Sequence, residues 1–287
     1  MQDAHARVFA YNASLVRTDT VYLVTPRGRL AGARFGQYAM FAGGISGSAS
    51  PNIDAFNQSL TRTNPFALGG AGRYNLAGAT VGDYLIFAGG TTSATTSLAT
   101  VDAYTSAMVK VATVTALSQA RESLSGLSLQ DYALFAGGRT DQTNYNRVDS
   151  YSRTLVRGAP TVMTVTRNAC GATNAGNFAI FGGGWTGSVN TDVADAYTNA
   201  LVKTSPATLS LGRNACGAAS IDGTALIAGG ISNVRWTNVD VFDANVVRSV
   251  AEPLTAARSK LVGASVGSCA IFAGGEGSLT AVDAYKL

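Results

Sequence analysis

The sequence predicts an all-β protein, a six-bladed β-propeller of four-stranded antiparallel blades. Three observations predict this fold class. A Gly-Gly pair that ends an apolar run recurs six times, at spacings of 45 to 48 residues. Short alternating segments rich in β-branched and aromatic residues lie between turn residues, with no helical periodicity. Charged residues make up only 13% of the 287-residue chain, against about 25% in typical soluble domains. We therefore assign residues 1–287 to one ring-shaped repeat domain.

Each repeat carries four markers at nearly constant spacing. The Gly-Gly pairs begin at Gly43, Gly89, Gly137, Gly183, Gly229 and Gly274. Sixteen residues before each pair stands an arginine: Arg27, Arg73, Arg121, Arg167, Arg213 and Arg258. After each pair comes an aspartate, followed two residues later by an aromatic side chain: Asp54, Asp102, Asp149, Asp195, Asp240 and Asp283. The blades therefore begin near residues 27, 73, 121, 167, 213 and 258.

The third repeat shows how one period divides into strands. Strand a follows the arginine, from Ser123 to Leu129, and a short turn leads to strand b, from Tyr132 to Ala136. After the Gly-Gly pair and a loop, strand c runs from Arg147 to Tyr151, and strand d from about Leu155 to Thr164. Turn residues bound each segment, which is typical of a meander of antiparallel strands.

This pattern resembles the kelch repeat, and the resemblance covers nearly the whole chain. It rests on the arginine, the apolar strand ending in Gly-Gly, and the Val-Asp-Ala-Tyr strand (Val101 to Tyr104). Kelch units usually carry a tryptophan shortly after the strand c aromatic. Here that zone holds aliphatic side chains: Leu60, Met108, Leu155, Leu201 and Val246. The departure indicates aliphatic packing between blades and a divergent branch, similar in its low charge to bacterial or phage-borne kelch repeats.

The ends of the chain predict how the ring closes. The sixth repeat stops after its strand c, whereas residues 1–25 include a segment that reads as a strand d. We therefore expect residues 1–25 to be a closing segment that joins the C-terminal blade and removes an exposed sheet edge. A surplus strand c without aspartate, Val8 to Tyr11, remains. It is a vestige, a truncation scar, or a competitor for the last strand c.

The repeated charges admit two interpretations. Identical residues in every blade favour an architectural role, in which the six arginines form ion pairs or carbonyl hydrogen bonds between blades, because six unpaired cations near the axis would be costly. The alternative is an anion-attracting ring at the channel mouth. A second series of bases follows the strand c aromatic and reads as a solvated outer edge: Arg17, Arg62, Lys110, Arg157, Lys203 and Arg248.

Comparison of the repeats predicts the binding face. The a–b and c–d turns are short and alike, whereas the b–c loops, which share the other face, differ in length and chemistry. A uniform scaffold with one set of varied loops suits a presentation platform. Aromatic, amide and charged residues in or beside these loops form the candidate ligand site: Trp185, Trp236, Tyr145, Asn144, Arg139, Arg147, Arg235 and Glu276. An alternative is that both tryptophans plug loops against neighbouring blades.

Composition argues against several other classes of function. The sequence contains no run of five or more Lys or Arg residues, so it does not predict nucleic-acid binding. It also contains no run of 18 apolar residues, so it does not predict a membrane-spanning helix. Asp3, His5 and Arg7 stand where a signal peptide would need an apolar stretch. The three cysteines include no CxxC pair, and Cys170 and Cys216 share one repeat position, as small buried side chains would. We expect neither a metal nor another cofactor.

Most enzyme chemistry is disfavoured as well. His5 is the single histidine, which excludes a histidine-based triad and the ligand set of copper-radical oxidases built on kelch propellers. The Asp-box turns of sialidase propellers are absent. Carboxylates on the loop face still permit a site that isomerises an acidic sugar, because six-bladed kelch proteins include sialic-acid mutarotases; the acids are Glu122, Asp141, Asp192 and Glu276.

Three functional hypotheses remain. The first is a non-catalytic module that binds a glycan or protein partner through the b–c loops. The second is the sugar-acid isomerase, and the third is a structural or adhesin domain of a larger surface or phage-tail protein. The corresponding locations are the cytoplasm or a surface or virion assembly, and the low charge also permits self-association.

Overall fold

The computed structural model describes residues 6–17, 21–277 and 280–286. It confirms the six-bladed, all-β propeller: the strands of each blade run antiparallel from the axis outward, and the described residues contain no helix. Consequently, none of these residues forms a helix that could cross a membrane. His5 lies outside the described residues.

The N-terminal hairpin and the first three blades contain seventeen strands. The hairpin consists of β1 (Arg7–Val8) and β2 (Val21–Tyr22). Blade one contains β3 (Ala31–Phe35), β4 (Tyr38–Ala42), the loop strands β5 (Ile45–Ser46) and β6 (Ser48–Ala49), β7 (Ile53–Phe56) and β8 (Arg62–Thr63). Blade two contains β9 (Ala77–Val81), β10 (Tyr84–Ala88) and β11 (Val101–Thr105), with one bridge, Tyr104 to Lys110, in place of strand d. Blade three contains β12 (Ser125–Leu129), β13 (Tyr132–Ala136), the loop strands β14 (Arg139–Thr140) and β15 (Thr143–Asn144), β16 (Val148–Ser152) and β17 (Arg157–Gly158).

The remaining blades repeat the same order. Blade four contains β18 (Gly171–Ala175), β19 (Phe178–Gly182), β20 (Ala194–Thr198) and β21 (Lys203–Thr204). Blade five contains β22 (Gly217–Ile221), β23 (Thr224–Ala228), β24 (Val239–Phe242) and β25 (Arg248–Val250). Blade six contains β26 (Val262–Val266), β27 (Cys269–Ala273) and β28 (Val282–Lys286). Strand d is therefore much shorter than the sequence suggests, since the predicted stretch from Leu155 to Thr164 contributes only Arg157–Gly158 to the sheet.

The hydrophobic core is divided among the blade junctions. Small side chains on strands a and c of one blade pack against the large strand b side chain of the next, as Ala31 and Ala55 pack in one cluster with Phe87. Equivalent clusters lie at the four following junctions, up to that between blades five and six. Alternation along each strand thus buries both faces of a blade, which explains why the strands are apolar nearly throughout.

Recurring backbone hydrogen bonds join neighbouring blades. The second glycine of the Gly-Gly pair donates its N–H to the repeat arginine's carbonyl in the next blade, as Gly90 does to Arg121 over 3.0 Å. A Cβ on Gly89 would lie 2.6 Å from that same carbonyl, so the pair permits this close approach. Nearer the axis, the N–H of Asn75 donates to the carbonyl of Arg29 over 2.9 Å, and four equivalent bonds follow around the ring.

The N-terminal hairpin lies between the sixth and first blades. Within the described residues it forms a sheet of its own and β28 pairs with β27 alone, so the expectation that an N-terminal strand joins the C-terminal blade needs correction. Its turn contacts blade six, because a Cβ on Gly267 would lie 3.6 Å from that of Ala13. On the other side, the Val24 N–H donates to Asp54 of blade one over 3.0 Å. Among the described residues, β1 pairs with β2, and Tyr11 forms a bridge to Arg17.

Candidate functional site

The repeat arginines lie inside the blades rather than at an open channel mouth. Each donates to the aspartate of its own blade, over 2.6 to 2.8 Å in the first five blades, and both side chains are almost completely buried. The sixth pair, Arg258 and Asp283, is also in contact. Each arginine additionally donates to a carbonyl of its own strand b, such as Arg121 to Phe135. The expectation of arginine pairing between blades therefore needs correction, since these bonds lie within one blade.

The aspartates, in contrast, do link neighbouring blades. The Ser118 N–H, at the end of blade two, donates to Asp149 of blade three over 3.1 Å. Asp149 also accepts from Arg157, so it is shared by two guanidinium groups. The outer bases are thus the second partners of the buried aspartates rather than a freely solvated edge: Arg62, Lys110, Arg157, Lys203 and Arg248.

The loop face carries six positions with the same backbone geometry and different side chains. The residue directly after each Gly-Gly pair forms an antiparallel bridge with the residue after the repeat arginine, as Trp185 does with Asn168. We call these six residues the rim: Ile45, Thr91, Arg139, Trp185, Ile231 and Glu276. Three of the predicted site residues, Arg139, Trp185 and Glu276, therefore occupy equivalent places around the channel.

The other predicted aromatic residues occupy a second set of equivalent positions. Tyr145 and Trp236 donate their N–H groups to the second glycine of their own blade, and their carbonyls accept from the next blade's repeat arginine. Both side chains are half-buried. The Trp236 indole N–H donates to Ser232 Oγ over 2.8 Å, which fixes the ring within its own loop. Trp185 is also half-buried, but it belongs to the rim.

Two charged clusters occupy different parts of the loop face. Glu122 accepts from Arg139 Nε over 3.1 Å and from Asn75 Nδ2 over 2.8 Å. Glu276 accepts from Lys260 Nζ over 2.6 Å and lies 3.5 Å from Arg235. The Lys260 hydrogen bond, followed by smaller effects of Arg235, lowers the pKa of the Glu276 carboxyl, so this group is ionised at neutral pH.

Asn144 and Arg147 complete the set of predicted site residues. Asn144 Oδ1 accepts from Asn168 Nδ2 over 2.5 Å, and this bond connects blade three to the bridge partner of Trp185 in blade four. Arg147 is exposed, and its side chain makes no hydrogen bond or ion pair within the described part of the chain. The eight predicted residues thus share one face. Three of them belong to the rim, Tyr145 and Trp236 share a second set of equivalent positions, and the other three lie elsewhere in or beside the b–c loops.

An open cavity of about 280 Å³ forms the channel mouth on this face. Its lining includes the residue two positions after the repeat arginine in each of blades two to six: Asn75, Ser123, Ala169, Ala215 and Lys260. All five have positive φ angles between 53° and 56°, which turns the chain at the axis. Cys170 and Cys216 lie beside the two alanines. This ring is not among the residues predicted from the sequence, although its fixed distance from the repeat arginine was a usable signal.

The lining of the channel mouth is mostly small or apolar, and charged groups lie beside it. Blades four and five contribute Ala169, Ala215 and the two thiols, and burial raises the pKa of the Cys216 thiol to about 11. Blades two, three and six contribute three leucines together with Asn75 and Lys260. Beside the cavity, Asn75 donates to Glu122 and Lys260 pairs with Glu276. Such a surface offers apolar contact within the cavity and charge-assisted hydrogen bonds beside it.

A second cavity lies away from the b–c loop face. A cavity of about 470 Å³ lies on the opposite face, between turns of blades one and two, and includes Arg34, Gly82 and Asp83. Within the described ranges, no group of three histidine, cysteine or acidic residues is arranged to hold a metal ion. The loop-face mouth differs from the opposite cavity in having the varied rim around it.

Comparisons with known proteins agree with the architecture. Many solved structures match the chain. One of them, the structure of YjhT, superimposes with a TM-score of 0.71 and 13% sequence identity, covering 91% of this chain and 94% of that one. This chain is a six-bladed β-propeller. No family model matches it, and no curated protein matches it either. At this identity the likeness establishes the fold alone.

Proposed function

We propose that this propeller is a non-catalytic binding module that takes a glycan or protein ligand on its b–c loop face. The observation that carries the proposal is the rim. Six residues sit on the same backbone bridge, yet their side chains range from Trp185 and Ile231 to Arg139 and Glu276. A scaffold that keeps the backbone constant and varies the side chains is suited to recognition.

The electrostatics of the rim also support binding. The carboxylates of Glu122 and Glu276 are held by bases, and the low pKa of Glu276 favours its ionised form. An ionised, oriented carboxylate accepts hydrogen bonds from sugar hydroxyls or peptide N–H groups. It is a poor proton donor at neutral pH, because general acids need a pKa near the working pH.

The proposal is tested by a glycan-array screen followed by affinity measurements on variants. Trp185→Ala and Arg139→Ala should each weaken binding by at least about tenfold, or about 1.4 kcal/mol, since both remove rim contacts. The matched control is Val202→Ala, because Val202 is exposed on the opposite face. All three variants should keep a thermal midpoint close to that of the parent chain.

If no glycan binds, the next experiment is capture of a partner from the source cells. A protein that the parent chain captures and the two rim variants do not would identify the ligand as a protein. Unchanged affinity in both rim variants would contradict the proposal. A lower thermal midpoint of Trp185→Ala with unchanged affinity would support the plug interpretation of that tryptophan instead.

One observation favours the acidic-sugar isomerase as a second candidate. Glu276 lies on the rim between Lys260, which lines the channel mouth, and Arg235, so a carboxylate and two bases converge beside this opening. Bases of this kind would hold the carboxylate of a sugar acid. NMR exchange spectroscopy on N-acetylneuraminic acid distinguishes the two functions: faster anomer exchange that Glu276→Gln abolishes would favour the isomerase, and an unchanged rate would favour the binding module.

A further inference from the structure

The junction between blades six and one leaves apolar surface uncovered. On blade six, Val262 is 68% exposed, whereas the equivalent Ala77 of blade two is 6% exposed. On blade one, Ala39 is exposed and Phe41 is half-buried, whereas Phe87, the equivalent of Phe41 in blade two, is fully buried. The core clusters at the other five junctions cover these positions. Two apolar sheet faces therefore flank this junction.

The same junction lacks the backbone bonds that recur elsewhere. At five junctions the second glycine donates to the next blade's repeat arginine, and a residue near the axis donates to the preceding blade. The corresponding donors here are the N–H groups of Gly275 and Arg29. Within the described part of the chain, neither forms the equivalent bond, to Arg27 and Lys260 respectively. Among the described residues, the inner part of the junction therefore lacks the backbone bonds that join the other blades, which leaves room for an added β-strand.

The N-terminal hairpin shows what kind of element fits there. In the regular ring, the a–b turn of one blade touches the c–d turn of the next, as Gly176 touches Ala244. Gly267 of blade six touches Ala13 in the equivalent way. The Val24 bond to Asp54 matches the bond from Ser118 to Asp149. The hairpin therefore holds the place of strands c and d in a further blade, without strands a and b beside it.

We propose that this junction binds a β-hairpin supplied by another polypeptide, which adds as strands a and b beside the N-terminal hairpin. The incoming strand b would pair with the edge of β1 that faces away from β2 and cover the exposed faces of blades six and one. The incoming strand a would meet the backbone groups of Arg29, Lys260 and Gly275. This is strand addition, in which main-chain hydrogen bonds provide affinity and side-chain pockets provide specificity.

Charge restricts the chemistry of that hairpin. In the six blades, the first residue of the a–b unit is an arginine that pairs with a strand c aspartate. In the N-terminal hairpin, Phe9 stands at the aspartate position, and the guanidinium of Arg17 lies over its ring at 5.3 Å. An incoming arginine would be buried without an acid, so the junction selects a hairpin that starts with an apolar residue.

The probe is a labelled synthetic peptide that copies residues 73–90, the a–b unit of blade two, in two forms. One keeps Arg73 and the other carries Arg73→Leu. Titration of the full chain should show saturable 1:1 binding by fluorescence anisotropy, with the leucine form at least about tenfold tighter. Val262→Glu in the full chain should abolish binding, whereas Val156→Glu, which changes an equally exposed valine on a c–d turn, should not.

Hydrogen exchange provides the second readout. The amides of Arg29 and Gly275 should exchange rapidly in the free chain and at least about tenfold more slowly with the leucine peptide. Slow exchange of both amides in the free monomer would overturn the proposal, because the junction would then be closed. Failure of both peptides to bind would also overturn it. So would a dimer of the free chain that Val262→Glu dissociates, since a second copy would then be the occupant.

Discussion

At the scale of single residues, one polar arrangement is repeated in each blade. A buried arginine and a buried aspartate pair near the axis, and an outer base reaches the same aspartate from the edge in five blades. Burial of isolated charges is expensive, so each pair is stable only while every partner is present. The arrangement also fixes the order of strands, because the arginine begins strand a and the aspartate lies in strand c.

Removal of the shared carboxylate should therefore be severe. Asp149→Ala leaves Arg121 fully buried without its acid and should lower the free energy of unfolding by about 3–5 kcal/mol. Chemical denaturation measures this loss. The control is the double variant Arg121→Leu with Asp149→Leu, which should lose less than Asp149→Ala. A loss under about 1 kcal/mol in Asp149→Ala would contradict the role of the pair.

The strand c tyrosines predict the response to alkali. The Tyr285 hydroxyl donates to the Glu252 carbonyl, and desolvation, then Asp283, raises its pKa from 10.0 to about 12. A folded-state pKa above the unfolded value stabilises the fold below pH 10.0, and the contribution is lost as the pH rises towards 12. Urea unfolding at increasing pH should show stability falling over this interval, and Tyr285→Phe should show a shallower fall. An equal slope in both chains would contradict this assignment.

The sequence predicted the residue pattern better than its contacts. Constant spacing identified both members of the Arg–Asp pair, but it could not show that they pair within one blade, because strand spacing does not define side-chain direction at the axis. It also could not show that Lys110 and its equivalents reach inward to the aspartates. Long flexible side chains can lie along the surface or turn inward, and local composition is the same in both cases.

At the scale of elements, the Gly-Gly pair sets the distance between blades. The first glycine has a positive φ and faces the neighbouring arginine's carbonyl, while the second donates to that carbonyl. Strands a, b and c follow the sequence prediction to within about two residues, since alternation and turn residues define them. Strand d does not, because it pairs on one edge and faces solvent on the other, so its sequence is under weaker constraint.

This role of the glycine predicts a large difference between two alanine substitutions. Gly89→Ala would place a Cβ 2.6 Å from the Arg121 carbonyl and should cost more than about 4 kcal/mol. Gly47→Ala is the matched control, because Gly47 also has a positive φ but has no atom within 4 Å of a built Cβ. It should cost about 1–2 kcal/mol. Thermal or chemical denaturation measures both, and equal losses would contradict the proposed blade contact.

At the scale of the whole molecule, the two faces of the ring differ in variability. The a–b and c–d turns repeat closely, whereas the b–c face carries the rim and the channel mouth. Comparison of the repeats could predict which face varies, and it placed Arg139, Trp185 and Glu276 on it. The ring of residues two positions after each repeat arginine was missed, because its side chains, such as Ala169 and Lys260, share a backbone geometry rather than a chemical type.

The central claim is that this propeller binds its ligand through the b–c face. Hydrogen-exchange mass spectrometry of the chain, with and without the glycan or protein found by screening, tests it most directly. We expect slower exchange in the rim and the b–c loops, including the segments around Arg139, Trp185 and Glu276. The a–b turns, such as that at Gly82, should be unchanged. Protection confined to the a–b and c–d turns would contradict the claim and would favour the cavity on the opposite face.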